Sequence, residues 1–131
     1  MTELAFDVVC VGAATLDLVA AVERTPAADE RVPALDLQQG GGGPAATAAV
    51  ALARLGLRAA VVAAVGDDHT GSVIREGLAD EGVDVRDVRV VRGARSASSV
   101  ITVDVRAGTR AIAAYRGTCG PPVMNAPAVR R

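Results

Sequence analysis

A chain of 131 residues is long enough for one modest domain and too short for two ordinary ones. Half of its residues are hydrophobic and only 2% are aromatic, so its interior must be built from aliphatic side chains. Fourteen Arg, with no Lys, stand against 15 acidic residues for a net charge of −1, which leaves no basic segment for nucleic acid and no lysine for a P-loop.

Residues 7–12, DVVCVG, are an apolar run ending in glycine, as in a buried parallel strand. Residues 16–23 alternate less cleanly, and residues 24–33 read as a polar loop bounded by prolines. Four consecutive glycines, at positions 40–43, come next. Such a run is kept where the chain turns sharply or where another group approaches the backbone. Pro44 suits the first turn of a helix that runs to Leu55 and stops at Gly56, and the free N–H groups at its start favour a polar or anionic neighbour.

Residues 57–66, LRAAVVAAVG, predict a second buried strand. Asp67 and Asp68 then offer N-cap oxygens to a helix ending near Gly82, with His69 an ordinary polar residue in its first turn. Residues 88–91 give a third strand. From Ser96 the pattern changes to alternation, predicting two antiparallel strands joined at Ala107 and Gly108. Residues 118–131 have no period and read as an irregular tail. The order predicts an α/β sandwich with a small added sheet.

Cys10 lies in an apolar run and Cys119 near the tail, without C-x-x-C or His neighbours, so they read as a buried small hydrophobe and an incidental thiol. The first residues lack signal-peptide form and no apolar run is long enough to span a bilayer; a cytoplasmic protein without a membrane or nucleic-acid partner is expected.

Four stretches carry a more specific signal: VVCVGAATLDLV, GGGGPAATAAVALARLG, AAVGDDHTG and SSVITVDVRAGTRAIAAYRG. Together, over about residues 7–117, they resemble the N-terminal part of the ribokinase-like, or PfkB, family of carbohydrate kinases. The resemblance implies the N-terminal portion of a ribokinase-like (Rossmann-like) α/β sandwich, residues 1–117, with lid strands at about 14–40 and 96–116. It implies phosphorylation of a sugar hydroxyl, with ATP and Mg2+ serving the full-length family member.

Asp17, five residues after Gly12, matches the family aspartate that accepts hydrogen bonds from substrate hydroxyls, a task suited to an acceptor-only carboxylate. Gly42 and Gly43 match a glycine pair whose backbone approaches the sugar, so that a side chain there would take the ligand's place. Thr47 stands where many relatives have Asn and keeps a hydroxyl for substrate or for its own helix backbone. Ser99 is a further candidate for the sugar side. Arg116, beside Tyr115, is a candidate to pair with an acidic group on the substrate, or else a solvated edge charge.

Family members also carry a Gly-Ala-Gly-Asp segment, which supplies the catalytic base, and an ATP site; no stretch of these 131 residues matches either. The expectation is therefore a sugar-binding half without catalytic residues or metal ligands, binding a sugar or related polyol but not ATP, with the lid available for a homodimer. A stand-alone sugar-binding or dimerising module is the alternative. A dinucleotide-binding domain is set aside because GAATLD after the first strand lacks G-x-G-x-x-G.

Overall fold

The computed structural model describes residues 5–124. Its centre is strand β4 (Ala59–Gly66), whose sequence AAVVAAVG is buried at every position but one. A strand covered on both faces is apolar throughout, and small residues let its neighbours lie close. Strands β1 (Val8–Val11) and β5 (Val88–Val91) flank β4 in parallel, giving the order β1-β4-β5. Val8 pairs with Ala59 on one side, and Ala63 pairs with Val88 on the other.

Helices α1 (Pro44–Arg54) and α2 (His69–Asp80) pack on one face of this sheet. Ala45, Ala46 and Ala49 of α1 and Ile74 and Leu78 of α2 form one cluster with Ala59, Val61, Ala63 and Val65, the alternate residues of β4. Methyl-sized side chains allow α1 to sit close: a Cβ added at Gly12, after β1, would lie 3.2 Å from the Ala45 Cβ. Pro44 opens α1, and Gly56, at φ +90°, follows its end; Gly82, at φ +79°, follows α2. Both glycines hold the left-handed conformation that ends helices.

A second sheet grows from the end of β1. Its strands are β2 (Thr15–Val22), β3 (Ala34–Gly42), β6 (Ser98–Asp104) and β7 (Thr109–Tyr115), in the order β3-β2-β6-β7. β2 is antiparallel to β3 and parallel to β6, and β6 is antiparallel to β7. The strands of this sheet span residues 15–42 and 98–115, β3 running two residues past the expected 40, and the β6–β7 turn includes Ala107 and Gly108. One difference concerns the glycine run: Gly40–Gly42 are not a turn but the end of β3, held extended by pairing with β2.

Two polar networks, built on the buried Ser96 and Asp104, hold the connections. Asp68 caps α2, its Oδ1 accepting from the Gly71 N–H (2.8 Å) and the Ser96 hydroxyl (2.6 Å), while Oδ2 accepts from the Ser96 N–H (2.9 Å). The Ser96 oxygen in turn accepts from the Gly66 N–H at 2.8 Å, tying the end of β4 to the entry of β6. Asp104, at the end of β6, accepts from the Thr25 and Ala107 N–H groups and pins the loop after β2.

Residues 118–124 carry no helix or strand, and the rest of the expected tail, 125–131, lies outside the described residues, as do residues 1–4. The segment still returns to the first sheet, where Arg89 donates to the carbonyls of Cys119 (3.3 Å) and Pro121 (3.4 Å). Cys10 packs against the core, and the buried Cys119 thiol donates to the Arg95 carbonyl. Among the described residues no helix is long and apolar enough to cross a membrane, and no group of three His, Cys, Asp or Glu is placed to hold a metal ion.

Candidate functional site

The junction of the two sheets gathers most of the sequence-derived candidates. Asp17 sits on β2 with Gly40 opposite it on β3 and Ser99 opposite it on β6. Paired residues share a sheet face and neighbouring strands lie about 4.8 Å apart, so a carboxylate and a hydroxyl stand side by side with bare backbone on the other flank. Thr15 shares that face because it is two residues before Asp17, and it pairs with Gly42. Its hydroxyl donates to Asp17 Oδ1 at 3.0 Å. Asp17, Thr15 and Ser99 are all partly buried.

The four glycines differ in what surrounds them. A Cβ at Gly40 or Gly41 would meet nothing within 4 Å. A Cβ at Gly42 would collide with Asp17 Oδ2, and would lie 2.7 Å from the Asp17 Cγ and 2.8 Å from the Thr15 oxygen. Gly43, at φ +91°, leaves room for the chain itself: an added Cβ would lie 2.5 Å from the Ala13 carbonyl oxygen and 3.0 Å from Ala14 Cα. A side chain at Gly43 would therefore strike the β1–β2 connection of the chain itself.

The start of α1 offers fewer free donors than its sequence suggests. Pro44 has no N–H, the Ala46 N–H points to the Ala13 carbonyl (3.4 Å), and Gly43 supplies no side-chain cap. Thr47 is exposed on α1 and lines a cavity of about 540 Å³ between α1, α2 and the end of β3. Gly40, Gly41 and Gly42 form part of its wall, and the Arg54–Glu81 ion pair another part (Nε to Oε2, 2.7 Å). Asp17 and Ser99 do not line this cavity, but Thr15, Gly40 and Gly42, which share the Asp17 face, do. Arg116 is exposed just beyond β7, two residues after Ala114, which pairs with Ser99. Tyr115 stacks instead under the Arg95 guanidinium, 5.2 Å from its ring centre.

The structure thus brings Asp17, Ser99 and Gly42 together, sets Thr47 on the α1 wall of the cavity that Thr15, Gly40 and Gly42 also line, and leaves Arg116 at the lid edge. Thr15 was not anticipated, although alternation along β2 places it beside Asp17. His69 is exposed at the start of α2.

A protein-family comparison matches residues 5–121 to the pfkB family carbohydrate kinase model. The chain belongs to this family. Among curated pfkB relatives, the ATP-dependent ribose-1-phosphate kinase of Halopiger xanaduensis is 37% identical over 97 residues, 74% of this chain and 33% of that protein. The ribokinase of Bacillus subtilis is 42% identical over 76 residues, 57% of this chain and 26% of its own length. Among solved structures, Arabidopsis thaliana ribokinase, complexed with ribose and ATP, superposes with a TM-score of 0.72 at 30% identity, covering 87% of this chain and 37% of that one. The α/β fold with its lid is the ribokinase fold. The chain spans between a quarter and a third of the length of these curated pfkB relatives.

Proposed function

We propose that these residues form the acceptor-binding side of an ATP-dependent pfkB-family kinase that phosphorylates a hydroxyl of a sugar or nucleoside. The observation that carries this reading is the Asp17–Ser99 pair on a lid face flanked by bare glycine backbone. An ionised carboxylate has about four lone-pair sites and accepts from adjacent hydroxyls of a polyol, while the Ser99 hydroxyl both donates and accepts. The carboxylate orients the acceptor alcohol; the glycines let a sugar ring lie against the sheet. Thr47 contributes from the cavity side of Gly42, and Arg116 engages an anionic substituent where the substrate carries one.

The described residues do not fit ATP with Mg2+. The first turn of α1 begins with Pro44 and spends its Ala46 N–H on Ala13, and α2 is capped by the Asp68 carboxylate, which repels phosphate. On this reading the acceptor alcohol is bound and oriented here, while nucleotide binding and the catalytic base belong to the part of the family fold outside the aligned third.

The opposite face of the lid favours a second role for the same sheet. Leu18, Leu37 and Val100 share it and are 40%, 62% and 56% exposed, which supports pairing of lids between two copies of the chain. Sedimentation of the purified chain reads this directly, with a dimer expected and a monomer contradicting it.

Calorimetry with ribose, fructose, adenosine and ATP tests the main reading. Heat from at least one polyol, weakened by about 1–3 kcal/mol in Asp17→Asn, is expected from loss of a charged hydrogen-bond partner, with no heat from ATP. Binding unchanged by Asp17→Asn contradicts the site, and micromolar ATP binding contradicts the division of labour.

A further inference from the structure

We infer that Thr15 and Gly42 act as a cradle that fixes the Asp17 carboxylate, making Thr15 a positioning residue and giving Gly42 a purpose other than ligand clearance. Thr15 and Asp17 are two apart on β2 and face the same way, and the Thr15 hydroxyl donates to Oδ1 at 3.0 Å. The other oxygen, Oδ2, lies over the bare Cα of Gly42, where any side chain would displace it and crowd the Thr15 oxygen 2.8 Å away. Among the described residues no donor is seen to reach Oδ2. One oxygen is thus tied down and the other is left for a ligand.

The contrast along the glycine run supports this division. Gly40 and Gly41 have open space where a Cβ would be, whereas at Gly42 the space belongs to the Asp17 and Thr15 side chains. A carboxylate on a strand otherwise rotates about two side-chain bonds, and holding it in one rotamer removes that freedom before a ligand arrives. The role rests on the acceptor-site reading above, but the geometry it predicts is measurable without any ligand.

The test uses the isotopically labelled 131-residue chain and the three-bond couplings from Asp17 Cγ to its backbone N and C′, which report the side-chain rotamer. The unmodified chain and Thr15→Ser should show one rotamer, and Thr15→Val, which keeps shape but loses the hydroxyl, should show averaging. Gly42→Ala should move the rotamer and Gly41→Ala should leave it in place, an independent check should Thr15→Val fold poorly. A single unchanged rotamer in Thr15→Val or in Gly42→Ala overturns the cradle. D-ribose titration of the same samples separates the two ideas. Binding weakened roughly three- to tenfold in Thr15→Val and restored in Thr15→Ser supports both, the range being that of losing one orienting hydrogen bond. The expected rotamers with no binding of ribose, fructose or adenosine to any sample would uphold the cradle and overturn the acceptor reading.

Discussion

Replacing Ser96 by alanine should be among the most damaging single-atom deletions in this chain. Ser96 is only 3% exposed, and its oxygen both donates to Asp68 Oδ1 at 2.6 Å and accepts from the Gly66 N–H at 2.8 Å. The first bond has a charged acceptor, worth about 1.5–3 kcal/mol, and the orphaned Gly66 N–H costs about 1–3 kcal/mol more. The terms overlap, because Asp68 keeps the Ser96 and Gly71 N–H groups and is partly open to water, so the net loss should be about 2–4 kcal/mol. No close alternative donor or acceptor enters, since the neighbourhood is tight: a Cβ at Gly66 would strike the Ala94 carbonyl and one at Gly71 the Gly66 carbonyl. Urea unfolding followed by circular dichroism measures the change, with exposed Ser72→Ala as the comparison, expected to shift stability by less than about 0.5 kcal/mol. A Ser96→Ala chain within about 0.5 kcal/mol of the parent would refute the claim that this network holds lid and sheet together.

Gly43→Val should unfold or loosen the sheet junction, since the new side chain meets the Ala13 carbonyl and φ is +91°, whereas Gly41→Ala should be tolerated; thermal melts of the two variants decide this, and equal melting temperatures would contradict it. Acid should destabilise the fold through several carboxylates held below their ordinary range. Asp7 is lowered by hydrogen bonds from Arg58, Asp104 by the Ala107 and Thr25 N–H groups, and Glu30 is pulled to about 2 by Arg24. Burial pushes Asp68 up, but hydrogen bonds from Ser96 and Gly71 outweigh it and leave it lowered. Each group binds its proton more weakly when folded. Its contribution is therefore complete above the unfolded value of about 4 and disappears as pH falls through the folded value, toward about 2 for Glu30. Urea midpoints should be flat from about pH 8 to about pH 6 and fall below about pH 4, and a midpoint that holds at about pH 3 would contradict this.

Much of the fold was legible because local chemistry and tertiary demand agree. Pro44 starts α1 where proline costs nothing, Gly56 and Gly82 end helices where φ must be positive, and Asp68 caps α2. The unbroken apolar run of β4 reads as a strand buried on both faces. The extended state of Gly40–Gly42 was not legible, because glycine has no strand preference of its own and is held there only by pairing with Thr15, Leu16 and Asp17. The neighbourhood of Asp17 was legible only in part. Its meeting with Ser99 depends on a parallel pairing of β2 with a strand some 80 residues later, which no local pattern encodes. Thr15 was within reach of period-two reasoning, but its hydroxyl matters only once Gly42 is known to lie beside it. The different surroundings of Gly42 and Gly43 follow from neighbours on another strand and in the β1–β2 connection, and adjacent identical residues carry no trace of them.

Titrating the labelled chain with D-ribose, and following every backbone amide, tests the acceptor-site claim most directly. The account predicts saturable shifts concentrated at residues 15–17, 40–43 and 98–99, the stretches that meet around Asp17, and their loss in Asp17→Asn. Shifts that fall elsewhere, that persist undiminished in Asp17→Asn, or that never appear with any of ribose, fructose or adenosine would contradict it.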